Sequence, residues 1–204
     1  MASIRIHELR HHRPGGRTAR TTVRIHAAAL NVLVDEGLEA CTFGRVADVA
    51  GVQRSTLYRR FSDRWDMIMQ AYLASVANDV AVDPTGDFVA DMRVLLTRFV
   101  DNFSRPIGQA LMTVVLALRG TPAESHIDRF MNIRLAQIEP IFSAAIATGK
   151  IDPAIDRREV IEKAAGAAIF RLFVEGLPID EGWIERMALA LGQLYSRPTE
   201  ETPS

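Results

Sequence analysis

The sequence predicts an all-α fold of about nine helices, an N-terminal three-helix domain followed by a C-terminal helical bundle. Three observations predict it. Apolar residues recur at helical spacing along most of the chain, no segment alternates with the period of two that a half-buried strand needs, and Gly- or Pro-containing breaks fall at helix-sized intervals. With 204 residues, 48% hydrophobic and 24% charged, the chain has the composition of an ordinary soluble globular protein and the length to bury a core.

The elements follow in order. Residues 1–18 carry Arg5, Arg10, Arg13 and Arg17 around Pro14-Gly15-Gly16 with no apolar period, and read as a flexible basic arm. Val23, Ala27, Leu30 and Val34 then define a helix from about Arg20 to Glu36, stopped by Gly37. Thr42 is placed to cap a short helix ending at Ala50. Gly51-Val52 makes a turn, and a second short helix runs to Phe61. Asp63 is the N-cap of a longer helix to about Asn78, with Asp66 suited to its first turn. The break Asp83-Pro84-Thr85-Gly86 interrupts the pattern. Phe88, Met92, Leu95, Leu96, Phe99 and Phe103 line one face of the next helix, and Pro106 opens another that runs to Arg119. This last helix is apolar almost all round, so it is expected to be central and buried. A long helix to about Thr148 follows Gly120-Thr121-Pro122, and two more span Arg157–Glu175 and Asp180–Tyr195. The tail from Ser196, rich in Pro and Thr, is expected to be disordered.

Charge is unevenly spread. Residues 1–65 hold 11 Arg, no Lys and 6 acidic residues, a balance of +5, while the remainder holds 13 basic and 19 acidic residues, a balance of −6. A basic head on an acidic body points to a polyanionic partner for the head alone. Cys41 is the single cysteine, so no internal disulfide can form. No apolar run reaches the ~20 residues of a membrane span, and the start lacks the apolar stretch of a secretory signal; a cytoplasmic protein with no membrane partner is expected. There is no H-E-x-x-H, CxxC, P-loop or G-x-G-x-x-G. No catalytic residue, cofactor or metal is expected, although His11-His12 leaves a metal-binding alternative open.

The informative stretch is T-F-G-R-V-A-D-V-A-G-V-Q-R-S-T-L-Y-R-R-F-S-D-R, Thr42 to Arg64. Two short helices that cross steeply need a small residue at their contact, which Ala47 supplies, and a turn residue at ease with positive φ, which Gly51 supplies. Val46, Val52, Leu57 and Phe61 can form the small core shared with the preceding helix. Gln53, Arg54, Ser55, Thr56, Tyr58, Arg59 and Arg60 are left on or near the outer side of the second helix, and these are groups able to reach base edges and phosphates. A solvated face is the alternative for the paired Arg59 and Arg60.

The run A-x-x-A-G-V-x-x-x-T-L-Y-x-x-F, Ala47 to Phe61, with a long helix before it and a helix opened by Asp63-Arg64 after it, resembles the tetracycline-repressor (TetR) family of bacterial regulators. The likeness covers about residues 20–75, and Ala167 to Asp180 looks like the C-terminal half of one branch of the family. The resemblance implies that Arg54, Ser55, Thr56, Tyr58 and Arg60 contact DNA from the recognition helix and that Thr42, Arg45 and Arg64 contact phosphate. Gln53 stands where a capping Ser is common, and Trp65 where Glu is frequent.

The domains expected are an arm (1–18), a helix-turn-helix DNA-binding domain (19–65), an effector-binding and dimerisation domain (66–195) and a tail (196–204). Family likeness implies a homodimer on double-stranded operator DNA, most often as a repressor released by a small-molecule effector. Ala164, Ala168, Phe170, Phe173, Trp183, Met187 and Leu191 are candidates for the dimer seam, and read equally as intramolecular core. Met92, Phe99, Phe103, Met112 and Met131 are apolar candidates to line an effector pocket, with Gln109, Thr113 and Arg134 as polar ones. Ordinary packing or exposure competes at each. They suit an apolar or amphipathic ligand. A DNA-binding protein without effector, or a small all-α enzyme, are the rival readings.

Overall fold

A computed structural model of the chain describes residues 16–77 and 82–196, apart from the side chain of Arg17. The arm's Arg5, Arg10 and Arg13, the His11-His12 pair and the tail beyond Ser196 lie outside the described residues. Within them the fold is all-α: α1 (Gly16–Asp35), α2 (Phe43–Ala50), α3 (Arg54–Arg60), α4 (Arg64–Ser75), α5 (Phe88–Ser104), α6 (Pro106–Leu118), α7 (Ser125–Ala147), α8 (Arg157–Ile169) and α9 (Glu181–Tyr195). Apart from one isolated bridge between Ile151 and Ser196, there is no β-pairing among the described residues. None of these helices is long and apolar enough to cross a membrane.

Four of the described helices start on a side-chain cap, two of them, at Thr42 and Asp63, expected from the sequence. Thr42, Asp63, Asp156 and Asp180 each accept backbone N–H groups of the first turn through their side chains, satisfying donors that have no partner inside the helix. Gln53 makes no such bond at the start of α3. Gly16 to Thr18, expected in the arm, already belong to α1.

The chain forms two compact units. The first gathers α1–α4, α6 and the first turns of α7; the second gathers α5, the rest of α7, α8 and α9. This grouping differs from a contiguous division at residue 65, because α4 and α6 both spend their apolar faces in the first unit. α1 packs against α2, α4 and α6. Ile25, Ala29 and Leu30 of α1 and Met67, Ile68, Ala71 and Tyr72 of α4 are all buried, and the Tyr72 ring meets Phe130 of α7 edge-on at 5.7 Å.

α6 is not buried all round, contrary to the expectation from its composition. Ile107, Leu111, Val114 and Leu118 are buried, while Leu116 is 69% exposed and Gln109 and Thr113 are open to solvent. A helix can be apolar on every side and still find packing partners on only one.

The second unit has a core of Phe88, Met92, Leu96 and Val100 from α5, Ile138, Ile141, Phe142 and Ala145 from α7, Val160 and Ala164 from α8, and Ile184, Ala188 and Leu191 from α9. α5 and α9 approach closely at Gly192, where an added Cβ would overlap Val89 Cγ2. The helix expected to run unbroken to Glu175 changes pitch instead: Phe170–Val174 form a π-helical turn, with Glu175 N–H donating to Phe170 O at 3.0 Å. Such turns widen a helix locally and alter which way the side chains face. Phe173 there meets Phe103 edge-on at 5.9 Å, and Phe103 lies 4.5 Å from Phe99.

Candidate nucleic-acid interface

α2, its turn and α3 are assembled by a few local interactions. Ala47 is fully buried at the helix contact. Gly51 takes φ +61°, ψ +45°, a left-handed conformation that costs an L-residue with a Cβ about 1–2 kcal/mol. Val52 N–H donates to Ala47 O at 3.0 Å, closing the end of α2. Sequence reasoning missed Arg24: its guanidinium, reaching from α1, donates to Ala50 O and, at 3.3 Å, to Gly51 O. It thus places positive charge at the carboxyl end of the α2 dipole. Only a long-range contact reveals this; nothing local in the sequence does.

Leu57 and Val46 are wholly buried and Phe61 nearly so, whereas Val52 is half-buried. With the apolar side of α3 turned inward, Gln53, Arg54, Ser55, Tyr58 and Arg59 are exposed and Thr56 is half-buried. Tyr58 is 70% exposed, its ring set edge-on against Phe43 at 5.0 Å. That contact aims the phenol outward while leaving its hydroxyl free for a partner. Arg60 departs from the expected outward face. It turns back to α1, donating to Thr22 Oγ1 and weakly to Thr18 O at 3.5 Å.

The three positions expected at phosphates cluster near the same pair of helices. Thr42 Oγ1 accepts Arg45 N–H at 3.2 Å. Arg45 is exposed and holds Glu36 through a bidentate pair, which lowers the Glu36 pKa chiefly by the hydrogen bonds from Arg45. Arg64 opens α4; its guanidinium lies 4.1 Å from the centre of the Trp65 ring and 3.8 Å from Glu39. Trp65 thus gives Arg64 a cation–π platform.

Beneath this surface lie two buried titratable groups. Burial pushes the Cys41 thiol up to about 12, which fits a small apolar residue rather than a nucleophile. His26 is 8% exposed against Phe61, and burial, followed by the charge of Arg60, lowers its pKa to about 4. Among the described residues, no group of three or more His, Cys, Asp or Glu side chains is placed to hold a metal ion.

The remaining candidates are dispersed. Met92 is fully buried in the core of the second unit, which also holds the half-buried Phe99, Phe103 and Arg134. Gln109, Met112, Thr113 and Met131 belong to the first unit, and of these Gln109 and Thr113 are exposed. For the dimer seam, Ala164, Ala168 and Leu191 are buried within the protomer. Trp183 and Met187 pack partly against that core. Phe170 and Phe173 are exposed, together with Val174, Leu177, Leu189 and Leu194, which sequence reasoning did not single out.

Residues 25–70 match the family described as "Bacterial regulatory proteins, tetR family", and residues 82–191 match "Tetracyclin repressor-like, C-terminal domain". The HTH-type transcriptional regulator YdeS of Bacillus subtilis is 25% identical over 171 residues, covering 81% of this chain and 84% of its own length. The DNA-binding transcriptional repressor TetR of Mycobacteroides abscessus is 27% identical over 173 residues, 79% of this chain and 86% of its own. Among solved structures, the TetR family transcription regulator SCO0332 superposes with a TM-score of 0.72 at 25% identity, covering 85% of this chain and 97% of that one.

Proposed function

The chain belongs to the TetR family of helix-turn-helix transcription regulators, and we infer that it acts in the cytoplasm as a homodimeric repressor. It binds a near-palindromic operator with α3 in the major groove and leaves it when the helical body takes up a small apolar or amphipathic ligand. The observation that carries the DNA reading is the division of α3: Leu57 is wholly buried while Gln53, Arg54, Ser55, Tyr58 and Arg59 are exposed. A single short helix reads only a few base pairs, so two copies related by a two-fold axis are needed for a useful site. Phe170, Val174, Leu189 and Leu194 are exposed apolar groups fitted to that second copy. Repression is supported by the name of the Mycobacteroides abscessus relative.

The test is binding of the purified protein to its own upstream intergenic DNA, with Arg54→Ala and Tyr58→Phe alongside. Salt-sensitive binding to a palindrome in the range ~10⁻⁸–10⁻¹¹ M, weakened by either substitution, is the expected result. Sequence-indifferent binding would contradict the operator reading. For the ligand, a panel of hydrophobic compounds is screened by thermal shift, and any that stabilises the protein must also release DNA. Equal DNA affinity with and without a saturating ligand would refute the release step, since a ligand shifts an equilibrium only by its differential affinity.

A further inference from the structure

Three of the arginines expected to meet DNA already hold a carboxylate of their own chain. Arg45 Nε lies 3.1 and 2.8 Å from the two Glu36 carboxylate oxygens, and Arg45 Nη2 lies 2.8 Å from the first. Arg54 Nη2 is 3.7 Å from Asp48, and its guanidinium lies back across α2, with Cζ only 3.2 Å from where a Cβ on Gly44 would sit. Arg64 is 3.8 Å from Glu39. The acids come from one short stretch, the connection that follows α1 and then α2. None of the pairs is a core contact: the Arg45 and Glu36 side chains keep 48% and 35% of their exposure, and those of Arg54 and Asp48 keep 66% and 60%. Exposed pairs contribute little to folding. They do occupy the hydrogen-bonding fork that an arginine offers equally to carboxylate and to phosphate.

We propose that Glu36 is an intramolecular stand-in for a DNA phosphate, which keeps Arg45 off the backbone of mismatched DNA and gives it up only when the duplex docks in register. Asp48 does the same, more weakly, for Arg54. This rests on the reading of α2 and α3 as the DNA-contacting pair. Binding to mismatched DNA is almost wholly a matter of phosphate contacts. An arginine that stays on Glu36 in that loose complex adds nothing to it. In the operator complex the seated recognition helix brings a phosphate to Arg45 at fixed geometry, and the exchange costs only the release of an exposed ion pair. The acids therefore take more from mismatched binding than from specific binding, and the specificity ratio widens.

Glu36→Gln tests this, measured by fluorescence anisotropy on a random-sequence duplex and on the operator across a salt series. Asp35→Asn is the charge control, an exposed neighbour outside these pairs that changes net charge by the same amount. On the random duplex at ~0.1 M salt, Glu36→Gln is expected to bind about fivefold more tightly than wild type, with the log–log salt slope steeper by about 0.9, one additional phosphate contact. On the operator the gain is about twofold, the release of an exposed pair. In the Glu36→Gln, Arg45→Ala double variant the gain on random DNA disappears. Equal effects of Glu36→Gln and Asp35→Asn, or weaker binding by Glu36→Gln, would overturn the proposal while leaving the DNA-binding reading intact. Failure of the wild-type protein to bind any DNA at low salt would overturn both.

Discussion

Lowering the pH should destabilise the helix-turn-helix through a single imidazole. His26 sits in α1 beneath α3, 8% exposed, its ring 6.1 Å from that of Phe61. Its Nε2 is buried, with no hydrogen-bond partner among the described residues. Burial first, and the positive charge of Arg60 second, lower its pKa from 6.5 to about 4. The folded state therefore binds fewer protons than the unfolded state between those two values, so stability rises with pH across that window and is lost as pH falls through it. Taking 6.5 unfolded and about 4 folded, the loss attributable to this one group is about 2 kcal/mol on going from pH 7 to 5, and about 3 kcal/mol by pH 4.

The assay is urea unfolding at a series of pH values, wild type against His26→Leu. Leucine has a similar volume and no titrating group, so packing is roughly conserved, and all other ionisable groups titrate alike in both proteins. The difference between the two stability curves should open by about 2 kcal/mol between pH 7 and 5. Arg60→Met removes the charge next to the ring, which should raise the folded pKa and so narrow the window from its acid side and reduce the loss. Parallel curves for wild type and His26→Leu would refute the assignment, because a histidine that charges freely in the folded state cannot couple to unfolding.

Gly192→Ala places a Cβ onto Val89 Cγ2. Since a valine has little freedom at χ1, the substitution should cost ~1–3 kcal/mol in thermal unfolding, and Val89→Ala in the same chain should restore much of it. Val174→Glu and Leu194→Glu put charge on side chains that are 68% and 59% exposed in the protomer. They should leave protomer stability within about 0.5 kcal/mol yet convert a dimer to a monomer by light scattering, and an unchanged mass would exclude this face as the seam. Asp63→Asn keeps an N-cap acceptor and should cost well under ~1 kcal/mol, while Asp63→Ala loses the cap and should cost ~1–2 kcal/mol. Equal losses would mean that the cap is not what Asp63 contributes.

What the sequence made legible was local. Thr42, Gly51 and Asp63 could be assigned their roles because a cap or a left-handed turn is decided within three or four residues, and the buried and exposed sides of α3 follow from its period. The rest depends on partners distant in the chain. Arg60 reads as an outward residue of the second helix, for DNA or for solvent, until α1 is placed beside it, when Thr18 and Thr22 prove to be its acceptors. The apolar α6 reads as buried because composition does not tell how many neighbours a helix has. Ala164 and Ala168 read equally as seam or core, since close approach of helices needs small residues in either case. The π-helical turn at Phe170–Val174, F-R-L-F-V, contains no Pro or Gly that would mark a break. Phe170, Phe173 and Val174 are exposed there, whereas Ala164, Ala168 and Leu191, candidates for the same seam, are buried within the protomer.

The same distinction bears on how a regulator of this build transmits a signal. Asp63 uses one carboxylate oxygen to cap α4, accepting from Trp65 N at 2.8 Å and Asp66 N at 2.9 Å, and the other to meet His126 Nε2 of α7 at 3.0 Å. Burial would raise its pKa, but the bonds from Asp66 N–H, His126 and Trp65 N–H together hold it below the ordinary value. Asp66 bonds the same connection: it accepts Ser62 N–H at 3.1 Å and the Gln70 amide at 2.8 Å, with Arg129 of α7 at 3.6 Å. The short connection from α3 to α4 is therefore held both by its own backbone and by the first turns of α7. A cap alone would make α4 a helix. A cap whose second oxygen is bonded to another helix also makes the start of α4 answer to where α7 stands, and the recognition helix lies only three residues upstream of it.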